Sequence, residues 1–235
     1  MYILLLFLLA IPMNLQAQNL PEWFFPLRDA LYEQDLKSDQ ITPLYNEAKD
    51  KAASLFAGEE LSIALSRCEY TMGRALLLEE RKEEAGKHFS EGMRLAEKAL
   101  ETAKSSEAWQ MLAENLSQLC TVRSTAFVMA NGLNVEKYSK NALELNNRNA
   151  AAQYMVAARW VYAPPPFHNY KKGIEMMQAI LTEGDMEKDD LFNVNLAIGY
   201  GYIQQKKNDS ARPWLIKALE IYPTNKFAQG LLKKI

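Results

Sequence analysis

Two histidines and two cysteines are the side chains of this chain best suited to proton transfer, metal binding or thiol chemistry, and their spacing supports none of these. His88 and His168 stand apart from any HExxH pattern and from any Cys/His cluster with metal-ligand spacing. No phosphate-cradling glycine loop and no nucleophile-elbow sequence is present. His168 lies beside three consecutive prolines, where a solvated loop histidine is the commoner meaning. The charged run Glu79-Glu-Arg-Lys-Glu-Glu84 reads as a solvated turn between helices before it reads as a docking patch. Asn115-Leu-Ser117 and Asn208-Asp-Ser210 fit the glycosylation pattern but fall on or beside expected helices, which removes their weight. The sequence therefore predicts a non-enzyme with neither cofactor nor metal.

The elements around these residues are helical. Almost half of the residues are apolar (49%), and no alternating Val/Ile/Thr runs of strand type occur, so an all-α fold is expected. A formal charge of −2 gives no concentrated basic face for nucleic acid. The first seventeen residues carry no charged side chain. Ile3 to Ile11 is continuously apolar, Pro12 breaks it, and Leu15-Gln16-Ala17 offers a small residue before a cut. The run is short for a membrane span of about 20 residues, so it reads as a secretory signal over 1–17, with an uncleaved hydrophobic anchor as the alternative. No cysteine follows it, which excludes lipid attachment at an N-terminal cysteine.

Repetition organises the remainder. Between Phe192 and Asn225, Ile198-Gly199, Tyr202, Ala211, Leu215, Ala218 and Pro223 fall within a 34-residue helical hairpin. Gly199 and Ala211 are small where two helices would cross, Tyr202 and Leu215 fill the space beside them, and Pro223 stops the second helix. Lys217-Ala-Leu-Glu-Ile-Tyr-Pro-Thr-Asn225 is echoed 76 residues earlier by Asn141-Ala-Leu-Glu-Leu-Asn-Asn-Arg-Asn149, and Ala228-Gln229 by Ala152-Gln153. Two periods plus eight residues account for that offset, and Ala163-Pro-Pro-Pro-Phe-His-Asn-Tyr170 is the place for the eight. Met72-Gly73, Leu76, Ala85, Phe89 and Gly92 repeat the spacing again, and Trp109, Leu112, Ala113 and Leu116 open another unit. Four hairpins follow, at about 66–104, 106–147, 150–183 and 192–223. In the second, the first helix is expected to run through Phe127-Val-Met-Ala130, with a late turn at Asn131-Gly-Leu-Asn134.

These residues resemble the tetratricopeptide repeat (TPR) family from Arg67 to Ile235. The resemblance implies a right-handed α-solenoid over 66–235, and 20–65 reads as an N-terminal helical cap in front of it. Within 20–65, Pro43 suits a first helical turn after Thr42, and Leu44, Ala48, Ala52 and Leu55 recur at helical spacing. Trp23, Phe24 and Phe25 either belong to that cap or dock a partner or line an apolar cavity. In the repeat frame Cys68 and Cys120 lie about 18 Å apart along parallel helices at about 1.5 Å per residue, beyond the roughly 7 Å reach of a disulfide, so both are expected as small buried hydrophobes.

TPR proteins bind partners along the first helices of their hairpins. Carried to this chain, that pattern nominates Arg67, Tyr70 and Arg74 from the first hairpin and Gln110, Glu114 and Gln118 from the second. Tyr154 and Tyr162 come from the third, and Asn193, Tyr200 and Gln204 from the fourth. Tyrosines there can stack against and hydrogen-bond a ligand, unless they pack instead on a neighbouring helix. The Lys/Asn set that grips a peptide carboxylate in chaperone-binding relatives is not apparent. Tyr162-Ala-Pro-Pro-Pro-Phe167, Lys172-Gly-Ile-Glu-Met-Met177 and Ala218-Leu-Glu-Ile-Tyr-Pro223 are similar to small exported spirochaete-type TPR proteins, relatives of the lipid-anchored T component of TRAP transporters. The expectation is a periplasmic or secreted scaffold for a protein or peptide, such as a solute-binding protein. A carrier of a small apolar solute, or a structural assembly factor, are the competing readings.

Overall fold

The structure is a computed structural model that describes residues 21–235, so the expected leader at 1–17 lies outside the described residues. Every regular element among the described residues is helical: α1 (Phe25–Glu33), α2 (Ser38–Leu55), α3 (Gly58–Leu78), α4 (Lys82–Thr102), α5 (Ser106–Val122) and α6 (Thr125–Leu145), then α7 (Ala150–Tyr162), α8 (Tyr170–Glu183), α9 (Lys188–Gln204), α10 (Asn208–Ile221) and α11 (Lys226–Leu232). They form four stacked hairpins, α3/α4, α5/α6, α7/α8 and α9/α10. The first helices α3, α5, α7 and α9 also touch in succession, which makes them one layer of a TPR-like solenoid. No described helix is long and apolar enough to cross a membrane.

The crossings follow the spacing in the sequence. A Cβ on Gly73 would lie 2.5 Å from Phe89 Cε1, and one on Gly199 would lie 2.8 Å from Leu215 Cδ2. The same glycine thus meets the same large partner in the first and last hairpins, because only a bare backbone lets a ring or isobutyl group settle between the helices. Ala85, Phe89, Ala211, Leu215 and Ala218 are fully buried. The 76-residue echo has a structural basis too. Asn149 and Asn225 each begin a helix, accepting from Ala152 N and Ala228 N at 3.0 Å. Gln153 and Gln229, four residues on, each donate back to the turn before it, to Asn147 O and Pro223 O.

Three local expectations change. The second hairpin turns at Arg123-Ser124, not at Asn131–Asn134, because Ser124 accepts from Phe127 N and starts α6 there. Asn131 then spends its side-chain amide on Phe127 O inside the helix, and Gly132 is carried as a helical residue. Second, α2 begins at Ser38, ahead of Pro43, since Glu79 accepts from both Ser38 N and Ser38 Oγ and holds that end against the first hairpin. Third, Cys68 is buried as expected, but Cys120 is only half-buried.

The segment before the repeats divides in two. Helix α2 covers the outer end of the first hairpin by packing on α3, as a cap does. Helix α1 takes a different course. It packs on α3 and is also hydrogen-bonded to the last hairpin: Tyr32 O accepts from Asn225 Nδ2, Glu33 O from Thr224 Oγ1, and Asp29 from Tyr222 OH and Lys188 Nζ. The Tyr32 ring stacks on Tyr222 at 5.1 Å and meets Phe192 edge-on at 5.5 Å. α1 is a strap from the first repeat to the last.

Candidate functional site

Between the strap and the layer of first helices lies a cleft of about 640 Å³, within the roughly 300–1,000 Å³ usual for binding sites. Helical periodicity puts residues three or four apart on one face. Arg67, Tyr70 and Arg74 on α3, Gln110, Glu114 and Gln118 on α5, and Tyr154 and Tyr162 on α7 accordingly point into it together. Asn193 of α9 completes the set, so nine of the eleven nominated residues line the cleft. Tyr200 does not; its ring backs Tyr162 at 5.2 Å and is packed among the hydrophobic clusters behind that wall. Gln204 is exposed in the last turn of α9 and lies away from the cleft. The docking of α1 on Phe192 and Asn193 leaves only the N-terminal part of α9 facing inward.

The strap and the approach to α9 supply residues that the repeat frame could not. Arg28 and Tyr32 come from α1, Asp185 and Glu187 from the segment that leads into α9, and Asp189 and Asp190 from its first turn. Acidic residues at 187–190 are also what a helix start requires, so their second role is hidden. The density of aromatics from Trp23 to Tyr32 marks a segment that must pack, without marking against what.

The polar groups sort into those with partners and those without. Arg74 donates to Tyr32 OH at 2.9 Å and to Tyr70 OH at 3.4 Å, with its guanidinium over both rings. Asn193 donates to the same Tyr32 hydroxyl, so one tyrosine joins α3 to α9. Burial pushes the phenols of Tyr70, Tyr154 and Tyr162 upward, so they stay neutral and available as donors. Arg28 donates to Asp29 at 2.9 Å and lies 3.8 Å from both Glu187 and Asp189. Burial raises the carboxyl of Glu114 to about 7, against the opposing pull of Arg67. Asp189 and Asp190 are also raised, first by burial. Asp189 Oδ1 is shielded from solvent and has no hydrogen-bond donor.

His88 and His168 both lie away from the cleft. No cluster of metal-ligating side chains occurs among the described residues. The arrangement can hold a ligand by stacking, hydrogen bonding and charge.

Fold and site together define a TPR-like helical solenoid whose inner layer bears a polar cleft. The family model for regulator of microtubule dynamics protein 1-3 matches residues 27–183, from the strap through the third hairpin, and the chain belongs to that family. It is a different family from the exported group and the TRAP T component expected from the C-terminal motifs. No curated protein matches the chain. Among solved structures, YrrB, described as a TPR protein with an unusual peptide-binding site, is similar over 91% of each chain at 15% identity and a TM-score of 0.40.

Proposed function

We propose that this protein is a non-catalytic interaction scaffold that takes up a short segment of a partner protein in the cleft beneath α1. The observation that carries the reading is the convergence of side chains from three successive first helices, and Asn193 of a fourth, on one open space flanked by hydrogen-bonding tyrosines. Such a surface suits an extended backbone with its many donors and acceptors. The family's description, which concerns regulation of microtubule dynamics, fits action through a protein partner. Export, through the apolar run Ile3–Ile11, belongs to the same proposal.

The carrier of an apolar solute, as a TRAP-associated accessory protein, is the weaker reading. Three arginines and six carboxylates line the cleft, and bringing an apolar solute against them would strip water from charges without replacing it. Site-specific photocrosslinking in cells separates the possibilities. A benzophenone side chain at Gln118, facing the cleft, should crosslink a discrete protein, and one at Glu97 on α4 should not. Loss of that adduct on Tyr154→Ala is expected. Equal labelling from both positions, or an adduct indifferent to Tyr154, would overturn the proposal.

A further inference from the structure

The charges of the cleft do not balance, and the imbalance indicates what the bound segment carries. Of its arginines, Arg28 is held by Asp29 and Arg74 by two tyrosine hydroxyls. Asp185 is already taken by Arg148 from outside. Six carboxylates face three arginines there, and among them Glu114, Asp189 and Asp190 lie close enough to influence one another, with Arg67 acting on Glu114 and Asp189. The Arg67 carbonyl accepts from Thr71 Oγ1, but its guanidinium makes no hydrogen bond or ion pair at contact distance among the described residues. The nearest guanidinium to Asp189 Oδ1 is Arg28 at 3.8 Å, too far for a hydrogen bond, and water is shut out from that oxygen. An enclosed carboxylate oxygen without a donor is costly, and a cation set against the exposed remainder of that carboxylate, 22% of the side chain, offsets the cost. Tyr70 lies near Glu114, and Tyr154 near Glu114 and Asp190, so aromatic rings and carboxylates share one part of the cleft, which suits a cation and not an anion.

Resting on the cleft as the binding site, we propose that the segment it takes up inserts a basic side chain, lysine or arginine, between these tyrosines to meet Glu114, Asp189 and Asp190. An acidic segment would find Arg67 alone, beside three like charges. An apolar one would bring no cation and would strip water from the exposed parts of these carboxylates. The carboxyls, raised as they are by burial, become fully ionised once the cation arrives, and the pair is then a charge-assisted contact in a partly desolvated site.

The test uses the immobilised full chain and libraries of acetylated, amidated hexapeptides, each with one fixed residue at the third position and the others randomised. Fixed Lys or Arg should be retained at least tenfold over fixed Glu, Leu or Ser. The Glu114→Gln plus Asp189→Asn variant should still retain peptides while losing that preference. If the double variant does not fold by circular dichroism, Glu114→Gln alone should weaken the preference severalfold. Retention that depends on Tyr154 but favours acidic or apolar residues, or ignores charge, overturns this inference and leaves the cleft reading standing. A preference for Lys and Arg that survives both substitutions also overturns it. No retention of any library, or retention indifferent to Tyr154→Ala, overturns the cleft reading itself.

Discussion

Glu69 on α3 and Glu114 on α5 are both glutamates on first helices of adjacent hairpins, both largely enclosed, and their surroundings treat them in opposite ways. Glu69 faces outward, between α2, α3 and α4. Its Oε1 accepts from Tyr45 OH at 2.6 Å and Lys49 Nζ at 3.0 Å, and its Oε2 lies 2.6 Å from His88 Nδ1, whose N–H must donate. Burial alone would raise this carboxyl, but the donors of His88, Tyr45 and Lys49 outweigh burial and lower it. Glu114 faces inward on the cleft with one hydrogen bond, from Gln110, and burial prevails. The difference separates two uses of a buried carboxylate. One is satisfied by its own chain and fixes α2 on the first hairpin; the other is left short of donors where a ligand can supply them.

The largest effect should come from breaking the satisfied site. Glu69→Ala strands Lys49 and the hydroxyl of Tyr45 in a partly buried position, and a cost of about 3 kcal/mol is expected in urea denaturation at pH 7. A group whose folded pKa is depressed contributes stability above its unfolded value of 4.5, and the contribution disappears as pH falls through the folded value. The variant should therefore approach the parent in acid. A loss that is the same at pH 3 and pH 7 would mean that packing, not charge, is what Glu69 provides.

The cleft glutamate should behave in the opposite sense. A carboxyl raised from 4.5 to about 7 on folding holds its proton more firmly in the folded state, so stability is lost as pH climbs through that window. Glu114→Gln removes the penalty and should stabilise the protein by about 2 kcal/mol at pH 8, and hardly at all at pH 4. A variant that gains stability while losing its ligand marks a residue kept for function at the expense of the fold. A destabilised Glu114→Gln at pH 8 would place this carboxylate with Glu69, among the structural ones.

The repeat itself was legible because its crossings depend on residue size at fixed spacing. Gly73 against Phe89 and Gly199 against Leu215 are local necessities of two helices in contact. That nine of the nominated residues line one cleft follows from the same periodicity. What could not be read was anything that depends on distant segments meeting. Tyr32 lies 160 or more residues from Phe192, Asn193 and Tyr222, with which it packs. Nothing in its neighbourhood distinguishes a strap from a cap. The turn at Arg123-Ser124 was missed for a nearer reason: Asn-Gly-Leu-Asn is the stronger turn signal on its own, and helix α6 overrides it once Ser124 has started the helix.

Asp29 lies between the two extremes and gives the smallest of these effects. It accepts from Arg28, Tyr222 OH and Lys188 Nζ, and although burial pushes its carboxyl up, those donors together bring it below the usual range. It is satisfied like Glu69, but two of its three partners, Tyr222 and Lys188, belong to the opposite end of the solenoid. Tyr222→Phe removes one of three donors and leaves the stacked ring in place against Tyr32, so a loss of about 1 kcal/mol is expected for one hydrogen bond. The loss should be local. Amides of α1 should exchange with solvent several times faster, while those of α4 and α5 remain as protected as in the parent. If the strap is an independent unit over the cleft, peptide retention should change in this variant with little change in the global melting temperature. Uniform acceleration of exchange across all four hairpins would show instead that α1 and the repeats unfold together, and Asp29 would then share the structural role of Glu69 at a smaller magnitude.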